Sequence, residues 1–124
     1  MGDSGGNQWG MYVVARQLNE LWKNQGVEVF FIHEYYDNRR ISKWLKEQGI
    51  VEGNEGIHDA YKVEAQIAVL DPRLIREKER SAAGLFSING VKLSPLQATI
   101  DFGKKIISYQ TDIVIDAIRK RQIK

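Results

Sequence analysis

Cysteine is absent from this chain of 124 residues. That absence excludes a disulfide framework, a thiolate nucleophile and every cysteine-based zinc site. Long apolar runs are missing too, the longest being a handful of residues against the ~20 that span a bilayer. Met1 is followed by Gly2, Asp3 and Ser4, not by a basic and then apolar leader, so no secretory signal is expected. Nor does one sign of charge prevail. Eighteen Lys+Arg face sixteen Asp+Glu for a net +2, a balance that announces neither a nucleic-acid partner nor an acidic membrane surface. What is present, 43% hydrophobic and 27% charged residues, describes one ordinary globular domain with room for a single core. A reducing, cytoplasmic compartment is the expectation.

A Gly-rich turn, Gly2 to Asn7, opens the chain. Met11, Val14, Ala15, Leu18, Leu21 and Trp22 then recur at three- and four-residue spacing, which predicts a helix over about 7–24 with Gly26 as its left-handed stop. Val27 to Tyr36 is β-branched and aromatic and reads as a strand buried on both faces, as parallel strands between helices are. Asp37 or Asn38 caps a second helix with Ile41, Trp44 and Leu45 inward, ended by Gly49. A turn over 53–56 precedes a third helix from about His58 to Leu70, halted by Asp71-Pro72. Arg73 to Arg80 reads as a solvated turn of helix. Asn89-Gly90, between short alternating runs over 85–93, gives a hairpin signal, with a plain loop as the alternative. Ser94-Pro95 opens a closing helix to about Arg121, whose apolar surface is Leu96, Ile100, Ile106, Ile107, Ile113, Val114 and Ile118. One convincing strand makes no sheet, so the hairpin segments or another subunit must extend it.

Three places carry residues with chemical potential. The opening loop converges backbone N–H groups at a helix N-terminus and could cradle an anion, although it has neither the P-loop spacing nor the dinucleotide fingerprint. The bland alternative is a tight turn into a helix. His33-Glu34, at the carboxyl end of the apolar stretch, pairs an imidazole with a carboxylate, a set that suits a general base or a metal; structural hydrogen bonding is its bland counterpart. His58, Asp59 and Glu64 form the third group. Helical spacing places His58 with Lys62 and points Glu64 elsewhere, so no two-histidine chelate arises.

Three segments resemble the second half of the creatininase (creatinine amidohydrolase) family: GDSGGNQ leading into a helix, GIHDAYKVEAQIAVLDPRLIR, and GVKLSPLQATIDFGKKI. In that family a His-Gly-Gly-Asn loop leads into a helix, and a His-Ala-Gly-Glu-x-Glu-Thr motif opens a later helix that ends near Asp-Pro. The resemblance spans nearly the whole chain and keeps the order of these landmarks. It implies an α/β fold with three α/β/α layers, here truncated, helix-rich and with a small, mostly parallel sheet. It further implies a single domain over 1–124 lacking the family's N-terminal half, and a zinc- or manganese-dependent hydrolase ancestry, commonly in oligomers. The departures fall on the metal site. The family's first half, with its Glu-x-His pair and an Asp, has no counterpart. Ser4 stands where a metal-binding His is expected, and Gly6 where one branch has a carboxylate. Asp59 replaces a His, Lys62 replaces a Glu, and only Glu64 is kept.

A hydrolytic metal centre needs three or more N/O ligands and an open position for water. The expectation is therefore a truncated creatininase-like domain without the family's hydrolysis and without a bound cofactor, self-associating because a halved fold leaves edges and apolar faces open. Its role would be structural, regulatory or small-molecule binding, with Asp3, Ser4, Gly5, Gly6 and Asn7 as the loop and Ser4, His33, His58 and Glu64 around a remnant pocket. The alternative is a divergent amidohydrolase of non-peptide C–N bonds completed by another subunit. There Glu34, His58, Asp59 and Glu64 are the catalytic candidates, and His33, His58 and Asp59 the zinc or manganese ligands. No nucleic acid or membrane partner is expected.

Overall fold

The computed structural model describes residues 5–55 and 60–122. In chain order it holds α1 (Gln8–Trp22), α2 (Asn38–Glu47), α3 (Tyr61–Leu70), α4 (Glu77–Ala82), strands β1 (Ser87–Ile88) and β2 (Val91–Lys92), and α5 (Leu96–Gln122). Short 3-10 turns cover Gly5–Asn7, His33–Tyr36 and Pro72–Ile75. Two compact units emerge: residues 1–38 with 113–124, and residues 39–112. Among the described residues no helix is long and apolar enough to cross a membrane.

The expected three-layer α/β/α fold with a mostly parallel sheet is overturned. The described residues contain one two-stranded antiparallel sheet, β1 with β2, and otherwise helices. The reason lies in pairing. A strand exists only with a neighbour to take its alternate N–H and C=O groups, and β1 and β2 take each other's in the register Ser87↔Lys92 and Ile88↔Val91. Among the described residues no further strand remains to flank Val27–Tyr36. Its last four residues coil into the 3-10 turn, and 27–32 run on with no ladder bond.

Local signals that need no distant partner are realised. Asn89 and Gly90 both take positive φ, 52° and 78°, the twist that joins antiparallel strands across two residues. Gly49, at φ 84°, ends α2: its N–H donates to the Lys46 carbonyl at 3.0 Å while that of Ile50 donates to Leu45 at 2.9 Å, a Schellman closure that a Cβ would hinder. The 73–80 stretch divides at Arg76, φ 51°, between a 3-10 turn and α4. α5 runs 27 residues, about 40 Å at 1.5 Å per residue. The third helix begins at Tyr61; His58, where the sequence would start it, lies outside the described residues.

In the 39–112 unit, Ile41 and Leu45 of α2, Ala65 and Ala68 of α3, Ile75, Leu93 and Ile106 are all at most 2% exposed. Each large aliphatic among them contributes roughly 1.5–3 kcal/mol by leaving water. Trp44 stacks on Tyr109 with centroids 4.5 Å apart and rings 11° from parallel. α3 and α5 touch backbone to side: Gly103 faces Ala65 so closely that a Cβ there would fall 2.2 Å from its carbonyl oxygen. The other unit is thinner, with Ala15, Ile113 and Ala117 as its buried apolar residues. Leu21 of the anticipated α1 face is 68% exposed.

Candidate binding groove

The unit of residues 1–38 and 113–124 carries an open apolar groove of about 1020 Å³. One wall is α1, where Gly10, Met11, Val14 and Ala15 succeed one another at helical spacing. The facing wall is the 29–32 stretch with Tyr35 and Tyr36, and Val114 of α5 also lines the space. Gly6 and Asn7 stand at one end, so the Gly-rich opening, which continues into α1 as a 3-10 turn, borders this groove. One side chain ties the backbone of the second wall to the first. The Asn19 amide accepts the Val29 N–H and donates to the Val29 carbonyl, both at 2.6 Å, an imitation of one rung of a β-ladder. Phe31 and Tyr35 close on Tyr36 with centroids at 5.8 and 5.0 Å, and the Tyr36 hydroxyl approaches the Met11 sulfur at 3.9 Å.

Glu34 and Glu64, both singled out in the sequence, are engaged in structure-holding contacts. Glu34 receives the Arg121 guanidinium on both oxygens, at 3.0 and 3.1 Å, and the same guanidinium donates to the Ala117 carbonyl. Burial raises the Glu34 carboxyl. A backbone hydrogen bond within Glu34, the Arg121 pair and neighbouring His33 together outweigh that, and the group ends below its ordinary value. A carboxylate held ionised in this way is a weak proton acceptor near neutral pH. His33 lies 3.5 Å from Glu34. Glu64 belongs to the other unit and meets Arg80 at 3.3 Å, both side chains about one-fifth exposed; Arg80 also donates to the Leu85 and Ser87 carbonyls, bracing the hairpin. Lys62 is partly buried, which lowers its ammonium, with Glu52 pulling the other way.

Of the remnant pocket in the sequence reading, His33 belongs to one unit and Glu64 to the other. Asp3, Ser4, His58 and Asp59 lie outside the described residues. Of the proposed zinc or manganese ligands only His33 is among the described residues. There His33 and Glu34 together offer two donors against the three of a hydrolytic centre, and Arg121 already occupies the cationic place against both Glu34 oxygens. Among the described residues no cluster of three or more His, Asp or Glu could hold a metal ion.

Asn19 and Arg121, which hold this region together, were not among the site residues of the sequence reading. Asn19 had a faint signal, a poor helix former one turn after Ala15 on the apolar face. Arg121 had none, since its partner is 87 positions away. Compared with known proteins, the chain matches no family model, no curated protein and no solved structure.

Proposed function

We propose that this chain is a binding domain of creatininase-like sequence, not a hydrolase, and that its ligand is a small apolar molecule held between α1 and residues 29–32. The observation that carries the reading is the groove itself. Its lining of Met, Val, Ala, Phe, Ile and Tyr side chains and its size are those of small-molecule sites, while Glu34 and Glu64, the two candidate acids among the described residues, are tied to arginines. The ligand class follows from the lining: an alkyl or aromatic body along Met11, Val14 and Phe31, and one polar group at the Asn7 end. Lack of cysteine and a balanced charge suit a cytoplasmic setting.

Gly10 provides the test. A Cβ built there meets nothing within 4 Å, so the side chain of Gly10→Leu leaves the helix into open space beside the groove it lines, and loss of a helix glycine favours α1 by up to ~1 kcal/mol. The expected result is saturable binding of the fluorescent probe anilinonaphthalene sulfonate by the native chain, displacement by decanoate, and loss of both in Gly10→Leu with thermal stability retained. Equal probe binding by the native chain and by Gly10→Leu would overturn the proposal.

A further inference from the structure

Beside the groove, the same unit holds a second hollow of about 450 Å³, a size that suits a small molecule. The two share Ala15 and residues 29–31. At about 100° per residue, α1 turns the sector of Gly10, Met11 and Val14 to the groove and the adjoining sector of Tyr12, Arg16 and Asn19 to the hollow. Three basic side chains line the hollow, Arg16, His33 and Arg121, and no Asp or Glu among the described residues joins them. The two guanidinium charges are not equivalent. That of Arg121 is balanced by Glu34, which it meets on both oxygens at 3.0 and 3.1 Å. Arg16 has no carboxylate partner among the described residues. Its natural counter-charge at i+4, Glu20, is turned to Lys23 instead. The Arg16 guanidinium lies over the Tyr12 ring, 5.9 Å from the centroid, and stacking of this kind leaves the N–H groups in the guanidinium plane free to donate.

We infer that this hollow binds a small aromatic monocarboxylate. The head group follows from the charges. One permanent cation, Arg16, is left unbalanced, so one negative charge completes the set and a second would find no fixed counterpart. The planar fork of an arginine matches the two oxygens of a carboxylate. The body follows from the rest of the lining. Phe30, 40% exposed, and Tyr12, 42% exposed, present aromatic surface that a planar ring would cover by offset or edge contact. The Phe31 ring stands 6.5 Å from the His33 imidazole, centroid to centroid, so the apolar and basic parts of the lining adjoin. The inference does not rest on the groove ligand: neither Arg16 nor His33 lines the groove, and Gly10 does not line the hollow.

Benzoate and its neutral isostere benzamide are the probes, followed by nuclear magnetic resonance at the backbone amides of Phe31 and His33. Benzoate is expected to shift both signals saturably, and benzamide to leave them in place. Arg16→Gln removes the charge at an exposed helical position with little change in helix propensity. It is expected to keep the circular dichroism of the native chain and to lower benzoate affinity at least roughly tenfold. Inorganic phosphate, which has no ring to place against Phe30 and Tyr12, is expected to bind more weakly than benzoate. The same titration in Gly10→Leu separates the hollow from the groove, and benzoate affinity is expected to be unchanged there. No dye enters these measurements, so failure of the hollow and failure of the groove are read independently. Absence of a saturable shift, an equal response to benzamide, an affinity indifferent to Arg16→Gln, loss of benzoate binding in Gly10→Leu, or phosphate binding as tight as benzoate would each overturn the inference.

Discussion

Two glycines sit inside helices, Gly10 in α1 and Gly103 in α5, and intrinsic propensity alone predicts that either becomes more stable as alanine, by up to ~1 kcal/mol. The surroundings split them. At Gly10 a Cβ enters open space, whereas at Gly103 it lands 2.2 Å from the Ala65 oxygen, 2.7 Å from the Ala65 carbonyl carbon and 2.8 Å from Val69 Cγ2. Ordinary contact begins at 3.4 Å, so the gap must open by 1.2 Å (3.4 minus 2.2). The obstacle is backbone, which no rotamer change relieves. Parting α3 from α5 loosens Ala65, Ala68 and Ile106, each at most 1% exposed. Overpacking of this kind costs roughly 3 kcal/mol; less the propensity gain, Gly103→Ala should lose about 2 kcal/mol. For a chain of this length that lowers the melting temperature by roughly 6–10 °C. Urea unfolding read by far-UV circular dichroism and by the fluorescence of Trp44, packed on Phe102 and Tyr109, measures it. Gly10→Ala is the internal control and should gain stability. If Gly103→Ala were neutral or stabilising while the control behaved as stated, the close approach of α3 and α5 would be refuted.

Two more outcomes follow from buried polar contacts. Asn89 is 7% exposed with φ 52°; its side chain accepts the Glu55 N–H at 2.9 Å and its carbonyl that of Gly53 at 2.7 Å. Asn89→Ala forfeits the side-chain bond and strains the backbone, for a loss of roughly 2–3 kcal/mol in urea titration, whereas Asn89→Gly recovers the part due to φ. Glu34, held below its ordinary value of 4.5, gives stability that is fully present above about that pH and lost as pH falls through its lower folded value. The acid limb of a stability–pH curve should therefore be shallower in Glu34→Gln, and an unchanged limb would show that Arg121 does not hold the carboxylate in solution.

What could be read from the sequence divides by distance along the chain. Asn89-Gly90, Gly49 and the Ser94-Pro95 opening of α5 act on neighbours two to five residues away, and each stands where the residues place it. Val27–Tyr36 has the composition of a buried strand, but composition describes only fitness for a sheet. Whether a ladder forms depends on another segment with free edges, and a propensity cannot report that. The layered fold implied by the creatininase resemblance, which needed this strand in a parallel sheet, failed for that reason. The site divides in the same manner. Gly6 and Asn7 border the groove because the turn and helix they open are local. The acids Glu34 and Glu64 were visible as residues, while the arginines that neutralise them, Arg121 and Arg80, lie 87 and 16 positions away.

Asn19 explains how a strand-like segment persists without a sheet, and why that solution is incomplete. A primary amide carries a donor and an acceptor at the spacing of a peptide group, so one Asn can satisfy both backbone groups of one residue. It can do so for one residue only. The next helical position on the same face, Lys23, is turned to Glu20, and Val27, two residues before Val29 on the same edge, makes no hydrogen bond among the described residues. Wedging the segment against α1 thus fixes its position and opens the groove between them, yet leaves the far edge as it would be in an isolated strand. Groove and edge have one origin: β-forming residues docked on a helix by a side-chain amide. A substitution at Asn19 would disturb both, and for that reason Gly10, which lines the groove and takes no part in the docking, is the informative position for the groove.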